Sequence, residues 1–194
     1  MRKRGIAVLA LLIAVVCAAA GVLAETKNEQ PVRVFIKTTE PRSVAVIKHK
    51  GPFTDLPTLM TKLMTEVESG GHMVCGAPMA MFVTPPETTA PKDLIWQVMV
   101  PVVNPAVMGK IEFDKLGFQF QDAITVTYIY HVGPYEKVND TYKVLFDHAK
   151  RNQYVIKGYP LEVYWSDPAR ISKEKLVTEV QVPIEEKKIP GIVR

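Results

Sequence analysis

Cysteine is scarce. The chain has two: Cys17, inside an uncharged N-terminal run, and Cys75. With that run removed, Cys75 stands alone, no intrachain disulfide can form, and stability has to come from packing. Metal-ligand spacing is also missing. His72 and His148 belong to no recognised metal-ligand spacing motif with another His, Cys or acid, so no metal is expected. Phosphate-binding Gly-rich loops, dinucleotide fingerprints and nucleophile elbows are absent as well, and no cofactor is expected. A strong charge of one sign is lacking too. The net charge is +4, but Arg2, Lys3 and Arg4 contribute three of it, and the chain without them stands at +1. Nothing in that balance argues for nucleic acid or an anionic membrane as partner.

What is present begins with the N-terminus. A basic cap, Arg2-Lys3-Arg4, precedes an uncharged run from Gly5 to Ala24 that ends in Val22-Leu23-Ala24. This is the layout of a secretory signal peptide. The run is also long enough to span a bilayer, so the competing expectation is a retained anchor. Either way residues 25–194 are expected outside the cytoplasm, periplasmic or secreted. A linker (25–31), one domain (32–186) and a short charged tail (187–194) follow, and membrane is a partner only if the run is retained.

Compared with itself, the domain repeats. A gapless shift of 82 positions lays residues 31–112 on 113–194. It matches Val44 with Val126, Ile47 with Ile129, His49 with His131, Gly51-Pro52 with Gly133-Pro134, Leu63 with Leu145, Gly76 with Gly158 and Pro86 with Pro168. Repeats of about 32–104 and 114–186 read as an internal duplication rather than a solenoid. Each copy opens with a branched, aromatic-rich extended segment, Val44–His49 or Val126–His131, stopped by Gly-Pro. A helix follows, with the apolar stripe Leu56, Leu59, Met60, Leu63, Met64 and Val67 in copy one. Copy two carries Val138, Thr141, Tyr142, Leu145, Phe146 and Ala149. Two strands close each unit, about 78–84 with 94–102 and 160–166 with 176–184, and short segments near 32–37 and 115–120 add edge strands. The expected class is α+β: tandem β-α-β-β units in a largely antiparallel sheet with two long helices on one face and a ligand pocket between the halves.

Alternation assigns faces within each strand. Val180, Val182 and Ile184 should lie under the helices, with Glu179 and Gln181 opposite. If Leu161, Val163 and Trp165 also lie under the helices, the far surface carries Glu162, Tyr164, Glu179 and Gln181. Copy one then adds Ala80, Phe82, Gln97 and Met99, and Tyr128 and Tyr130 could join from the first strand. A carboxylate among tyrosines and apolar groups is poorly solvated, and a ligand cation would relieve it while gaining cation–π contacts. The bland alternative is that both glutamates are ordinary solvent-facing strand residues. The paired His49 and His131 read as turn architecture rather than catalysts.

The strings His131-Val132-Gly133-Pro134-Tyr135, Leu161-Glu162-Val163-Tyr164-Trp165-Ser166-Asp167-Pro168 and Thr178-Glu179-Val180-Gln181-Val182-Pro183, in this order and duplicated, resemble the GyrI-like effector-binding domain. That is the small-molecule module of AraC-type and MerR-type multidrug regulators. The resemblance implies a pseudo-twofold β-α-β-β pair with its ligand between the halves, a binding acid at Glu179 and a pocket tyrosine at Tyr164. No helix-turn-helix pattern precedes residue 32, so no nucleic-acid partner is expected. The reading is a stand-alone binding protein for hydrophobic, cationic small molecules, held by Glu179, Tyr164, Tyr128, Glu162, Phe82, Gln97, Met99 and Gln181. Two alternatives stay open. Some members of the family hydrolyse reactive electrophiles, which would make Glu179 a general acid or base, although Leu176 stands where those members carry Trp. The SOUL proteins share the fold and are associated with haem, but no axial ligand is evident here.

Overall fold

The computed structural model describes residues 32–103, 105 and 109–186. The expected leader, linker and tail lie outside these. Ten strands form one sheet: β1 (Phe35–Thr38), β2 (Arg42–Lys50), β3 (Met73–Val74), β4 (Met79–Phe82), β5 (Ile95–Val103), β6 (Leu116–Gln121), β7 (Thr125–Val132), β8 (Val155–Ile156), β9 (Leu161–Tyr164) and β10 (Val177–Glu185). Among the described residues two α-helices, α1 (Leu56–Ser69) and α2 (Val138–Arg151), accompany the sheet. The main order is β1-β7-β10-β9-β4-β5-β2-β6, with β3 added to β5 and β8 to β10. All paired strands run antiparallel. Read from either end, the order visits equivalent strands of the two copies, so the pseudo-twofold axis passes between β4 and β9.

The edge strands are exchanged. β1 belongs to the first copy but pairs with β7 of the second, and β6 of the second pairs with β2 of the first. Each copy therefore completes the other's sheet.

Both helices start the same way. Gly51-Pro52 and Gly133-Pro134 end a strand, a single 3-10 turn follows (Phe53–Asp55, Tyr135–Lys137), and the α-helix begins. Pro57 sits in the first turn of α1, where its missing N–H costs nothing. A Cβ at Gly51 would lie 2.5 Å from His49 Nε2, and Gly133 has φ +135°, so both turns require glycine. The histidines hold these turns. His131 contacts Thr141 Oγ1 (2.9 Å) and the Pro134 carbonyl (3.2 Å), while His49 contacts Asp114 (2.5 Å) and Asp55 (3.2 Å).

A row of cross-strand partners, Ile47–Val98–Ala80–Glu162–Val180–Ile129, crosses the sheet from one helix to the other. Leu59, Leu63 and Val67 of α1 pack on Ala45, Ile47, Trp96 and Val98, and Leu145 of α2 packs with Ile129, Val180 and Val182. Each large apolar side chain buried this way contributes roughly 1.5–3 kcal/mol. The fully buried Trp96 also donates from Nε1 to the Gly51 carbonyl (2.9 Å). Trp96→Phe keeps most of the apolar bulk but leaves that carbonyl unpaired, and is expected to cost about 1–3 kcal/mol in urea unfolding.

The opposite face is not open surface. Val44, Val46, Met79, Met99, Leu161 and Val163 form a second buried cluster there, with Ile111 of the inter-repeat connection packed against it. Arg42, Gln119 and Gln121 lie along its edge. Arg42 donates to Gln121 (2.9 Å), and the Gln121 and Gln119 amides approach Met99 sulfur at 3.2 and 3.6 Å.

Candidate functional site

The register of β9 against β10 decides where the acids go. Glu162 pairs with Val180, whereas Glu179 pairs with Val163. Antiparallel partners share a face, so Glu162 lies on the helix side with Val180, and Glu179 lies on the far side with Val163. The expectation that Leu161, Val163 and Trp165 share a face with Val180 and Val182 is therefore corrected. Both sheet faces are apolar, and alternation within a strand cannot say which one it faces.

On the helix side, a cavity of about 320 Å³ opens over the axis between the helices. Phe53 ahead of α1, Val138, Tyr142 and Phe146 of α2, and Phe82 of β4 are among its walls, and residues 83–87 with Tyr159 and Pro160 border it. Its volume and largely apolar lining are those of a small-molecule site. Glu162, 5% exposed, is its one deeply buried carboxyl. Tyr142 donates to Oε1 at 3.0 Å and Tyr164 to Oε2 at 2.9 Å. Burial raises the Glu162 pKa above its ordinary value of 4.5, and the two tyrosine hydrogen bonds offset only part of the rise. Both phenols are pushed well above their ordinary value, by burial first and the neighbouring carboxylate second. They stay protonated and act as donors. No cationic side chain among the described residues contributes to this balance.

On the far side Glu179 is fully buried and paired with a cationic side chain of its own chain. Lys37 forms an ion pair with Oε1, Gln181 donates to the same oxygen at 2.6 Å, and Trp165 Nε1 donates to Oε2 at 3.2 Å.

The sequence matches the model of the GyrI-like small-molecule binding domain over residues 32–185. The chain belongs to the GyrI-like family. Its fold agrees with solved structures that share it at low identity. The crystal structure of the EcmrR C-terminal domain aligns at TM-score 0.69 and 21% identity, covering 81% of this chain and 99% of that one. A hydrolase encoded by lin2189 from Listeria innocua aligns at TM-score 0.56 and 10% identity, covering 79% and 92%. SAV2435 bound to tetraphenylphosphonium aligns at TM-score 0.50 and 11% identity, covering 79% and 94%. No curated protein sequence matches the chain.

Within this GyrI-like domain the expected site residues divide into two sets. Glu162, Tyr164 and Phe82 gather on the helix side, and Glu162 and Phe82 line the cavity itself. Glu179, Gln181, Tyr128, Gln97 and Met99 lie across the sheet, where Met99 is a fully buried core residue. Phe82 and Met99 cannot form one apolar wall, because the sheet separates them. Sequence reasoning placed Tyr142 and Phe146 only in a helix stripe and did not single out Phe53, Tyr159 or Lys37 as site residues. Tyr142 carried a usable signal, as the one phenol in a largely apolar stripe.

Proposed function

We propose that this GyrI-like domain binds amphipathic organic cations in the cavity between its helices, with Glu162 as the counter-charge. One observation carries the reading: a buried carboxyl in an apolar cavity, held by two phenol donors and by no cation among the described residues. Such a group is costly to ionise alone. A ligand cation supplies the missing charge, and Phe53, Phe82, Tyr142 and Phe146 supply ring faces, each cation–π contact contributing about 0.5–2 kcal/mol. The proposal keeps the acid and cationic ligand expected from the sequence but moves the charge from Glu179 to Glu162. An extracytoplasmic setting is part of it, supported by the basic cap and uncharged run of residues 2–24.

The raised pKa of Glu162 supports a second reading, in which the protonated carboxyl acts as general acid on a strained electrophile in the same cavity. Calorimetric titration of the full chain with tetraphenylphosphonium tests the first. Saturable binding that survives Glu179→Gln and weakens in Glu162→Gln is expected. Absence of binding, or loss in Glu179→Gln alone, overturns it. Glu162-dependent turnover of an epoxide without cation binding would replace it with the second.

A further inference from the structure

Where α1 ends, the chain folds back and forms a concavity of about 390 Å³ lined by Met64, Glu68, Gly71, His72, Met73 and Val74. Its frame is backbone. Gly71 takes φ +71°, the His72 N–H donates to the Val67 carbonyl at 3.0 Å, and Met73–Val74 then pair with Val102–Val103 of β5. Met64 and Glu68 stand one turn apart on α1 and share a face, and the returning chain brings His72 and Met73 to the same hollow. Two thioethers, an imidazole and a carboxylate therefore line one concavity. The His72 ring packs on Phe118 with centroids 4.6 Å apart, and a Cβ at Gly70 would lie 3.2 Å from its Nε2. That nitrogen thus faces the helix end. His49, His131 and His148 each have a side-chain hydrogen-bond partner, whereas the His72 ring has none among the described residues.

The duplication supplies an internal control, because the second copy builds the same turn without these donors. Gln153 takes φ +58° there, and the Tyr154 N–H donates to the Ala149 carbonyl at 2.9 Å. Phe146, Lys150, Tyr154 and Val155 stand for Met64, Glu68, His72 and Met73. The turn does not need the four donors, yet all of them occur together in one copy. The helix ends differ in charge in the same sense. α2 closes on His148, Lys150 and Arg151, the basic groups that suit the negative end of a helix dipole. α1 has no basic residue in its last turn. That end is short of a cation, and the donors surround it.

We propose that Met64, Met73, His72 and Glu68 bind a soft monovalent metal cation, of the Cu(I) class, at the C-terminal end of α1. Ligand type selects the metal. Among the described residues no three His, Cys, Asp or Glu side chains gather into a metal-holding group, so this is not a zinc-type site. The set becomes a ligand set only when thioether sulfur is counted, and thioethers favour Cu(I) and the similar Ag(I) over zinc, magnesium or calcium. Charge agrees with that choice. Two thioethers and a neutral imidazole contribute none, so the single carboxylate of Glu68 balances a single positive charge. Cys75 is exposed two residues beyond Met73 but is not among the lining residues, and the site is assigned without it. No lining residue is shared with the cavity over Glu162.

Silver nitrate in chloride-free buffer is the probe, since Ag(I) matches Cu(I) in ligand preference without its redox chemistry. Thiols also capture Ag(I), so the full-length chain is used with Cys17→Ser and Cys75→Ser. Calorimetric titration should show one equivalent bound, and the ε-methyl NMR signals of Met64 and Met73 should both shift as the site fills. Zn(II) should leave those signals in place. Met64→Phe with Met73→Val installs the residues of the second copy and is expected to weaken Ag(I) binding at least about tenfold, the lower end of what loss of even an outer partner of a metal ligand costs. His72→Tyr, at the surface turn, should weaken it similarly and serves as the second variant if Met64→Phe disturbs helix packing. Glu162→Gln should leave Ag(I) binding unchanged, so failure here is separable from failure at the helix-side cavity. Full affinity in both site variants, loss of binding with the two cysteines, unmoved Met64 or Met73 signals, or Zn(II) binding as tight as Ag(I) would each overturn the proposal.

Discussion

Tetraphenylphosphonium affinity is expected to climb with pH in the wild-type chain and to be flat, and about one to two orders of magnitude weaker at neutral pH, in Glu162→Gln. The size follows from removing one charged partner from a desolvated contact, about 1.5–3 kcal/mol. The slope follows from the direction of the pKa shift. Burial raises the Glu162 pKa above 4.5 in the folded protein, so the free site holds a proton that a cation must expel. Affinity therefore rises as pH passes upward through the folded-state pKa and levels off above it, with one proton released per ligand below that point. The same shift has a stability consequence of opposite sense. A carboxyl with a raised folded-state pKa contributes stability that is fully present below 4.5 and lost as pH rises through the folded value. The wild type should lose ground to Glu162→Gln over that window when no ligand is bound. Tyr142→Phe removes one of the two donors that lower the pKa, and should move the binding midpoint to higher pH. Equal slopes in wild type and Glu162→Gln, measured by calorimetry across about pH 4–8, would contradict the assignment of the charge.

Much of the fold was legible because its signals are local. The matching pairs His49/His131 and Gly51/Gly133 mark two equivalent strand ends, and the stripes through Leu63 and Leu145 mark two helices over one face. What stayed hidden was relational. Period two separates Glu162 from Val163 and Glu179 from Val180 within their own strands, but only the pairing of Glu162 with Val180 fixes the phase of one strand against the other. In a sheet with one wet face the apolar residues would have settled that phase. Here Val163 and Val180 are both core residues, on opposite sides, and the pattern is ambiguous by construction. The exchange of β1 and β6 was hidden for a similar reason. Phe35–Thr38 reads as an edge strand, but nothing local says that its partner is Tyr128 of the other copy, and with that the approach of Lys37 to Glu179 was out of reach.

The strongest destabilisation is expected at the axis itself. Ala80 and Glu162 are equivalent under the 82-residue shift and are also direct cross-strand partners, so the pseudo-twofold runs between their two side chains. Any group duplicated there must tolerate its own copy at the distance of an antiparallel pair, about 4.5–5.5 Å between Cβ atoms. Methyl groups can, but two buried carboxylates cannot both be charged. The asymmetry at positions 80 and 162 is thus imposed by geometry on a fold that places an acid on its axis. The asymmetry at positions 97 and 179 lies off the axis and instead goes with the exchange of Lys37 for Gln119. Ala80→Glu should cost more than about 3 kcal/mol, from a second uncompensated buried acid and from crowding at a position with no exposure. That is a large part of the roughly 5–15 kcal/mol typical of a domain. Ala80→Gln carries the same bulk without the charge, and Ala80→Ser adds only a hydroxyl and should stay within about 1 kcal/mol of wild type. In urea unfolding the gap between Ala80→Glu and Ala80→Gln should widen as pH rises from about 4 to 7. At low pH the introduced carboxyl and that of Glu162 are both protonated, whereas at neutral pH the two compete for one proton. A gap independent of pH would mean that the two side chains do not face each other, and that the axis lies elsewhere.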